Sequence, residues 1–409
     1  MARPVALLEL IALFALARVL GELCERVHVP SLIGEISAGI VLGPLLLAWV
    51  SPSDPIKLIA DLGVFFIVYA AGMEMTFRGV RRIIKESGAA VAAGSFSLPF
   101  LLGFLTGLAF GYDGQVALFL GLALSLTALP VSVRILSDMG WMQTDVGQTI
   151  ITAGLLCDIA GLTVLAAITN WGALTSGEVT VAGLVAAKIA LFFLLVFTVE
   201  RVFALRQGWL SKTLVTGSAR LLSRGAAFSV PLLIVFAFSL LAESLGLHFV
   251  VGTFFGSVII AEHVFPPQEG ERLRATIGSI SDGFLAPIFF AYLGLVAVTL
   301  DPGLATLFAA LLTAAVAGKV AGSYVGARFG GFQSWSASLI AVGMNGRGAM
   351  ELVIALVGLE LGIITAGLFS ILVVLGLVTT LMTPFVLRRL AKSPEAKAAV
   401  PAKESPPAS

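Results

Sequence analysis

Thirteen apolar stretches, each about the length that crosses a bilayer, follow one another between residues 5 and 388, and no water-soluble fold has use for such a series. A helix needs roughly 20 mostly apolar residues to span the hydrocarbon core, and helices satisfy their own backbone there without closing a barrel. Cutting at charges, Pro and Gly predicts spans over 5–25, 31–50, 56–76, 87–110, 114–137, 146–168, 180–203, 227–246, 248–265, 279–299, 303–328, 334–358 and 362–388. Only Gly246 and Leu247 separate the eighth from the ninth, so twelve spans is the alternative. The chain is 58% hydrophobic and 12% charged, whereas soluble domains carry about 25% charged residues. Lipid is the solvent that this composition suits.

Several classes fall away at once. The net charge of +1 names no partner, and no basic stretch interleaved with aromatics points to nucleic acid. Cys24 and Cys157 lie in or beside apolar stretches, so neither a disulfide framework nor a paired metal site is expected, and no cofactor is called for. The first stretch lacks a basic leader and a small-residue cleavage signal, and reads as a retained span. The spans leave no room for an extramembrane catalytic domain, so the chain reads as a transporter rather than an enzyme.

Lys and Arg orient the spans, because they accumulate on the cytoplasmic side. Alternate loops hold Arg26, then Arg78, Arg81, Arg82 and Lys85, then Arg134, then Arg201, Arg206, Lys212, Arg220 and Arg224. They continue with Arg272 and Arg274, then Arg328, then Arg388, Arg389 and Lys392, while the opposite loops hold little beyond Arg3 and Lys57. An odd count with the N-terminus outside and the C-terminus in the cytoplasm follows. Residues 1–392 form the membrane domain, and 393–409, rich in Pro, Ala, Lys and Glu, read as a disordered cytoplasmic tail. Residues 209–224 suit an amphipathic cytoplasmic helix between two halves.

Two spans carry their own interruptions. The fifth contains Thr127 followed by Pro130, which removes a backbone donor. The twelfth contains Gly343, Asn345, Gly346, Arg347 and Gly348, where three glycines weaken a helix at mid-membrane. Interruptions in corresponding positions of two halves point to a transporter site on inverted repeats. The repeats are then about 1–170 and 227–390, joined by a connector helix over about 180–203. The plainer reading is that Pro and Gly are simply common in membrane helices.

Ionisable residues inside the membrane need a reason, since each costs at least about 2.5–3.5 kcal/mol there. Asp158 lies more than ten residues inside the sixth span with no adjacent partner in sequence. A carboxylate out of water is disfavoured in its charged form, which suits Asp158 to carry a proton and, once ionised, a cation; a structural carboxylate held by hydrogen bonds is the alternative. Lys319, between small residues in the eleventh span, reads equally as counter-charge or as scaffold. Arg347 and Glu351 stand four apart and suit an intrahelical pair, more a scaffold than a site. Lys188, Glu9, Glu35, Asp61, Glu74 and Glu262 are lesser candidates explained by snorkelling or capping, and His28, His248 and His263 by solvation near the interfaces.

At these residues the chain resembles a known family. Residues 30–44 (PSLIGEISAGIVLGP), 62–74 (LGVFFIVYAAGME), 127–136 (TALPVSVRIL), the pair Cys157 and Asp158, 287–295 (PIFFAYLGL) and 344–351 (MNGRGAME) are similar, in order, to segments of monovalent cation:proton antiporters. The similarity is to the second branch of that superfamily, which includes bacterial sodium/proton exchangers and potassium efflux systems. It implies an all-α membrane protein of the bacterial inner membrane, a homodimer with a dimerisation domain and a core domain that moves like an elevator. It implies that the fifth and twelfth spans cross where they unwind, beside Asp158. By the same resemblance Asp158 binds the ion, Thr127 is the threonine at the crossing, Lys319 is the core lysine, and Arg347 and Gly348 form the arginine-glycine motif.

Two departures matter. Electrogenic members carry two adjacent aspartates, and here the first position is Cys157, which removes the direct partner of Lys319. Potassium efflux members carry a cytosolic nucleotide-binding domain, so such gating would need a separate regulatory subunit here. The expectation is exchange of Na⁺ or K⁺ for H⁺ at one carboxylate, electroneutral if Lys319 keeps its charge. The rivals are an uncoupled, channel-like cation pathway, marked by cation flux without opposite proton flux, and a sodium-coupled symporter of an organic anion, marked by a larger polar pocket. Residue identity does not choose between Na⁺ and K⁺.

Overall fold

A computed structural model describes residues 3–27, 29–74, 88–127, 136, 141, 144–175, 179–205, 226–263, 267–297 and 302–391. Pro130, Arg134, His28, the basic residues at 78–85, Arg206, the helix expected over 209–224 and the tail at 393–409 lie outside them.

The described residues form helices and connections, with no strand among them. They are α1 (Arg3–Arg26), α2 (Ser31–Leu42), α3 (Asp54–Met73), α4 (Gly88–Ala109), α5 (Gly114–Ser125), α6 (Asp145–Ile168) and a single turn, α7 (Trp171–Leu174). Then come α8 (Val179–Leu205), α9 (Ala226–Ser244), α10 (Phe249–His263) and α11 (Pro267–Ile280), which continues through a π-turn (Ser281–Leu285) into α12 (Ala286–Val296). The last are α13 (Ala305–Phe329), α14 (Ser334–Gly343), α15 (Ala349–Glu360) and α16 (Ala366–Ala391). Seven helices among the described residues are long and apolar enough to cross a membrane, and five shorter ones are apolar too. The molecule is a multi-pass helical membrane protein.

At two boundaries the helices depart from the sequence reading, and at a third they follow it. The second span, expected over 31–50, is helical only to Leu42, because Gly43 and Pro44 follow and the residue before a proline disfavours helix. The chain then doubles back, with the amides of Trp49 and Val50 both donating to the Leu42 carbonyl at 3.0 and 2.9 Å. The tenth span, expected over 279–299, begins as far back as Pro267. Its polar first half is held by one apolar side, on which Leu273 and Ile277 are buried. The eighth and ninth spans are separate helices joined by a turn in which Gly246 takes φ +80°, a conformation that strains any residue with a Cβ.

The chain divides into two compact units. The first comprises Met1–Phe14, Pro52–Val80 and Leu162–Tyr292. Its core gathers Phe65, Tyr69, Val235, Ile260, Leu273, Ile277 and Leu285 from α3, α9, α10, α11 and the π-turn. The α9–α10 hairpin closes on a 2.8 Å hydrogen bond between the hydroxyls of Ser239 and Thr253. Arg274 of α11 donates to the Met73 carbonyl from Nε at 3.0 Å and Nη2 at 2.6 Å, capping the C-terminus of α3.

The second unit comprises Ala15–Ser51, Arg81–Gly161 and Leu293–Ser409. Its spine is the pair α4 and α13, which meet along glycines. A Cβ on Gly318 would lie 2.8 Å from Pro99 Cα, and one on Gly326 2.8 Å from Val91 Cα. Such small residues let membrane helices approach backbone to backbone, where dispersion and packing replace the missing hydrophobic drive. Gly103 makes the same approach to Gly121 of α5, where a Cβ would lie 2.9 Å from its Cα.

Candidate functional site

Thr127, Cys157, Asp158, Lys319, Arg347 and Glu351 all lie in the second unit, and none is more than 3% exposed. The site begins with a helix that stops early. Asp113 caps α5 at its start, accepting from the amides of Gln115 at 2.8 Å and Val116 at 3.0 Å. The helix ends at Ser125, and Leu126 is extended with ψ 162°. The last carbonyls of a helix have no amide of their own to accept from, and here they are buried.

Two cations take them. Lys319 Nζ, from the middle of α13, donates to the Ser125 carbonyl at 2.5 Å. Arg347 donates from Nη1 to Ala123 at 2.8 Å and from Nη2 to Leu124 at 2.5 Å. Positive charge at the C-terminal end of a helix is favourable in its own right. Thus the lysine and the arginine bind first to backbone, and their role as helix caps was not visible in the sequence, where a carbonyl leaves no mark.

Arg347 lies in a second break. Between α14 and α15, residues 344–348 leave the helix, with Gly348 extended at φ −162°. Arg347 Nη1 also meets Glu351 Oε1 at 3.0 Å, an i, i+4 pair that is fully buried. The Thr380 hydroxyl of α16 donates to the Arg347 carbonyl, a partner the sequence reading passed over. Asn345, 2% exposed in the same break, keeps its Oδ1 without a hydrogen-bond partner among the described residues. Pro130, the other residue named for a helix break, is outside them.

On α6, Cys157 points its thiol to α4, with Sγ 3.8 Å from the Ala92 carbonyl and 3.9 Å from Ser95 Oγ. Thr127 lies beside the same thiol, and its Oγ1 bonds to no oxygen or nitrogen among the described residues. Lys319 shares its electrostatic surroundings with Cys157, Arg347, Asp158 and Glu351. The centre therefore holds two basic groups, two carboxylates and a thiol within one unit. With both basic groups and both carboxylates charged and the thiol neutral, their sum is zero.

Of the lesser candidates, Glu35 is buried in α2, and Glu200, which the sequence reading passed over, is buried in α8 of the other unit. His248 stands at the start of α10 with its ring against Phe249.

The chain is similar to known proteins along nearly its whole length. A family model described as sodium/hydrogen exchanger, transmembrane, matches residues 10–393. The probable Na⁺/H⁺ antiporter GerT of Bacillus cereus is 30% identical over 93% of this chain and 98% of its own length. The Na⁺/H⁺-K⁺ antiporter GerN of the same organism is 30% identical over 92% of this chain and 94% of its own length. Among solved structures, the sodium proton antiporter of Methanocaldococcus jannaschii at pH 8 superposes with a TM-score of 0.65, at 15% identity, over 98% of this chain and 99% of its own. That last likeness is one of fold.

Proposed function

The chain belongs to the sodium/hydrogen exchanger family, and on that premise we propose that it exchanges Na⁺ or K⁺ for protons, with Asp158 holding one or the other in turn. The observation that carries this reading is the burial of Asp158 in the unit where Lys319 and Arg347 are committed to the end of α5 and Arg347 also to Glu351. A buried carboxylate placed among fixed charges is the group whose charge state the exchange can use. Ionised, it accepts a partly dehydrated cation, helped by Thr127; protonated, it releases that cation.

The charge balance favours an electroneutral cycle. Loading Asp158 with one proton or with one monovalent cation raises the charge of the centre by the same single unit. Cys157 supplies no carboxylate beside Asp158, so the exchange is one for one provided that Lys319 keeps its charge.

The finer architecture belongs to the same proposal. Thirteen spans, two inverted repeats whose broken helices cross, and a core that moves against a dimerisation domain give Asp158 access to each side in turn. The protein then works as a homodimer in the bacterial inner membrane, its N-terminus outside and its C-terminus in the cytoplasm.

Proton flux in liposomes under imposed Na⁺ or K⁺ gradients tests the reading. Wild-type vesicles are expected to move protons against either or both gradients, and Asp158→Asn vesicles to move none. Retained exchange in Asp158→Asn would falsify the assignment of the site.

A further inference from the structure

Each of the two helix breaks in the second unit presents one neutral side-chain oxygen that bonds to no oxygen or nitrogen among the described residues. At the end of α5 it is Thr127 Oγ1, and between α14 and α15 it is Asn345 Oδ1. In the rest of the second break, among the described residues, Arg347 Nε is the other buried side-chain polar atom without a hydrogen-bond partner. The Asn345 amide donates to the Val342 carbonyl at 3.1 Å, the Arg347 carbonyl accepts from Thr380, and the guanidinium terminus spans α5 and Glu351. Asn345 is as buried as Asp158, and the family role assigned to this motif rests on its arginine and glycine, leaving the asparagine without a task.

A buried amide oxygen without a donor is unfavourable and calls for an occupant. A proton needs only one oxygen, that of Asp158. An alkali cation shedding water needs several, and hard oxygen ligands suit it. We infer that Asn345 Oδ1 is a ligand of the transported cation, so that Asn345 separates loading by metal from loading by proton. The inference rests on the antiport reading above and adds a residue to its site.

The test uses the full chain in liposomes, titrating NaCl and KCl at fixed pH. Asn345→Ala is expected to raise the half-saturating cation concentration roughly tenfold while the maximal rate changes little, the pattern of lost ligand binding. Asn345→Asp keeps the oxygen in place and adds charge, so its half-saturation is expected at or below the wild-type value. A purely structural asparagine would give the reverse: maximal rate falling in both variants with half-saturation unmoved, and that result overturns the inference. If Asn345→Ala cannot be recovered folded, Asn345→Asp decides alone, since a half-saturation above the wild-type value overturns it. The two readings fail separately. Exchange surviving in Asp158→Asn removes the site, whereas loss there with unmoved half-saturation in Asn345→Ala removes only the asparagine.

Discussion

Lys319 donates its ammonium to the carbonyl of Ser125, 194 positions away in the chain, at the point where α5 stops being helical. The bond ties the middle of α13 to the first helix break and occupies a lysine that lacks a carboxylate at position 157. Lys319→Met is expected to leave that carbonyl buried and unbonded, lowering stability by about 2 kcal/mol. Lys319→Arg is expected to recover part of it. Thermal unfolding in detergent measures both, and equal Tm values for Lys319→Met and wild type would sink the capping role.

The Arg347–Glu351 pair is buried on both sides, so removing one partner strands the other charge at a cost of about 3–5 kcal/mol. Arg347→Met is expected to be the more damaging, because it also frees the Ala123 and Leu124 carbonyls. Glu351→Gln keeps an acceptor for Nη1 and is expected to be the milder change. The order of the two melting temperatures checks this.

A second carboxylate at position 157 changes the charge balance. Cys157→Asp is expected to make exchange respond to membrane potential, where the wild-type rate stays flat. Proton flux in potassium-free vesicles whose potential is set by gradients of the permeant anion thiocyanate, driven by a fixed sodium gradient, measures it. A flat profile in both proteins would separate position 157 from stoichiometry.

Gly246 closes the α9–α10 turn at φ +80°. Gly246→Ala is expected to cost about 1 kcal/mol from the left-handed backbone alone, without altering the cation dependence of transport. A shift in half-saturation would place this turn in the transport machinery after all.

What the sequence disclosed depended on whether a side chain announces the feature. The glycines around Arg347 marked the break at 344–348, and Asp158 stood out as a charge among apolar neighbours. The early end of α2 was written in Gly43 and Pro44, yet the apolar run through Val50 hid it, since hydrophobicity persists where the helix does not. The long reach of α11 was obscured for the opposite reason: Arg272 and Arg274 looked like a loop, though the burial of Leu273 and Ile277 keeps them helical. The capping of α5 was invisible, because its acceptors are backbone carbonyls and its donors lie 194 to 224 residues further along.

The glycine seam between α4 and α13 leaves no slack for sliding. With Gly318 on Pro99 and Gly326 on Val91, the two helices register like the halves of a zip, and a shift along the seam would bring each backbone onto a bulkier neighbour. The two helices therefore form one strut, and Lys319, seated on it, is held in fixed register with α4.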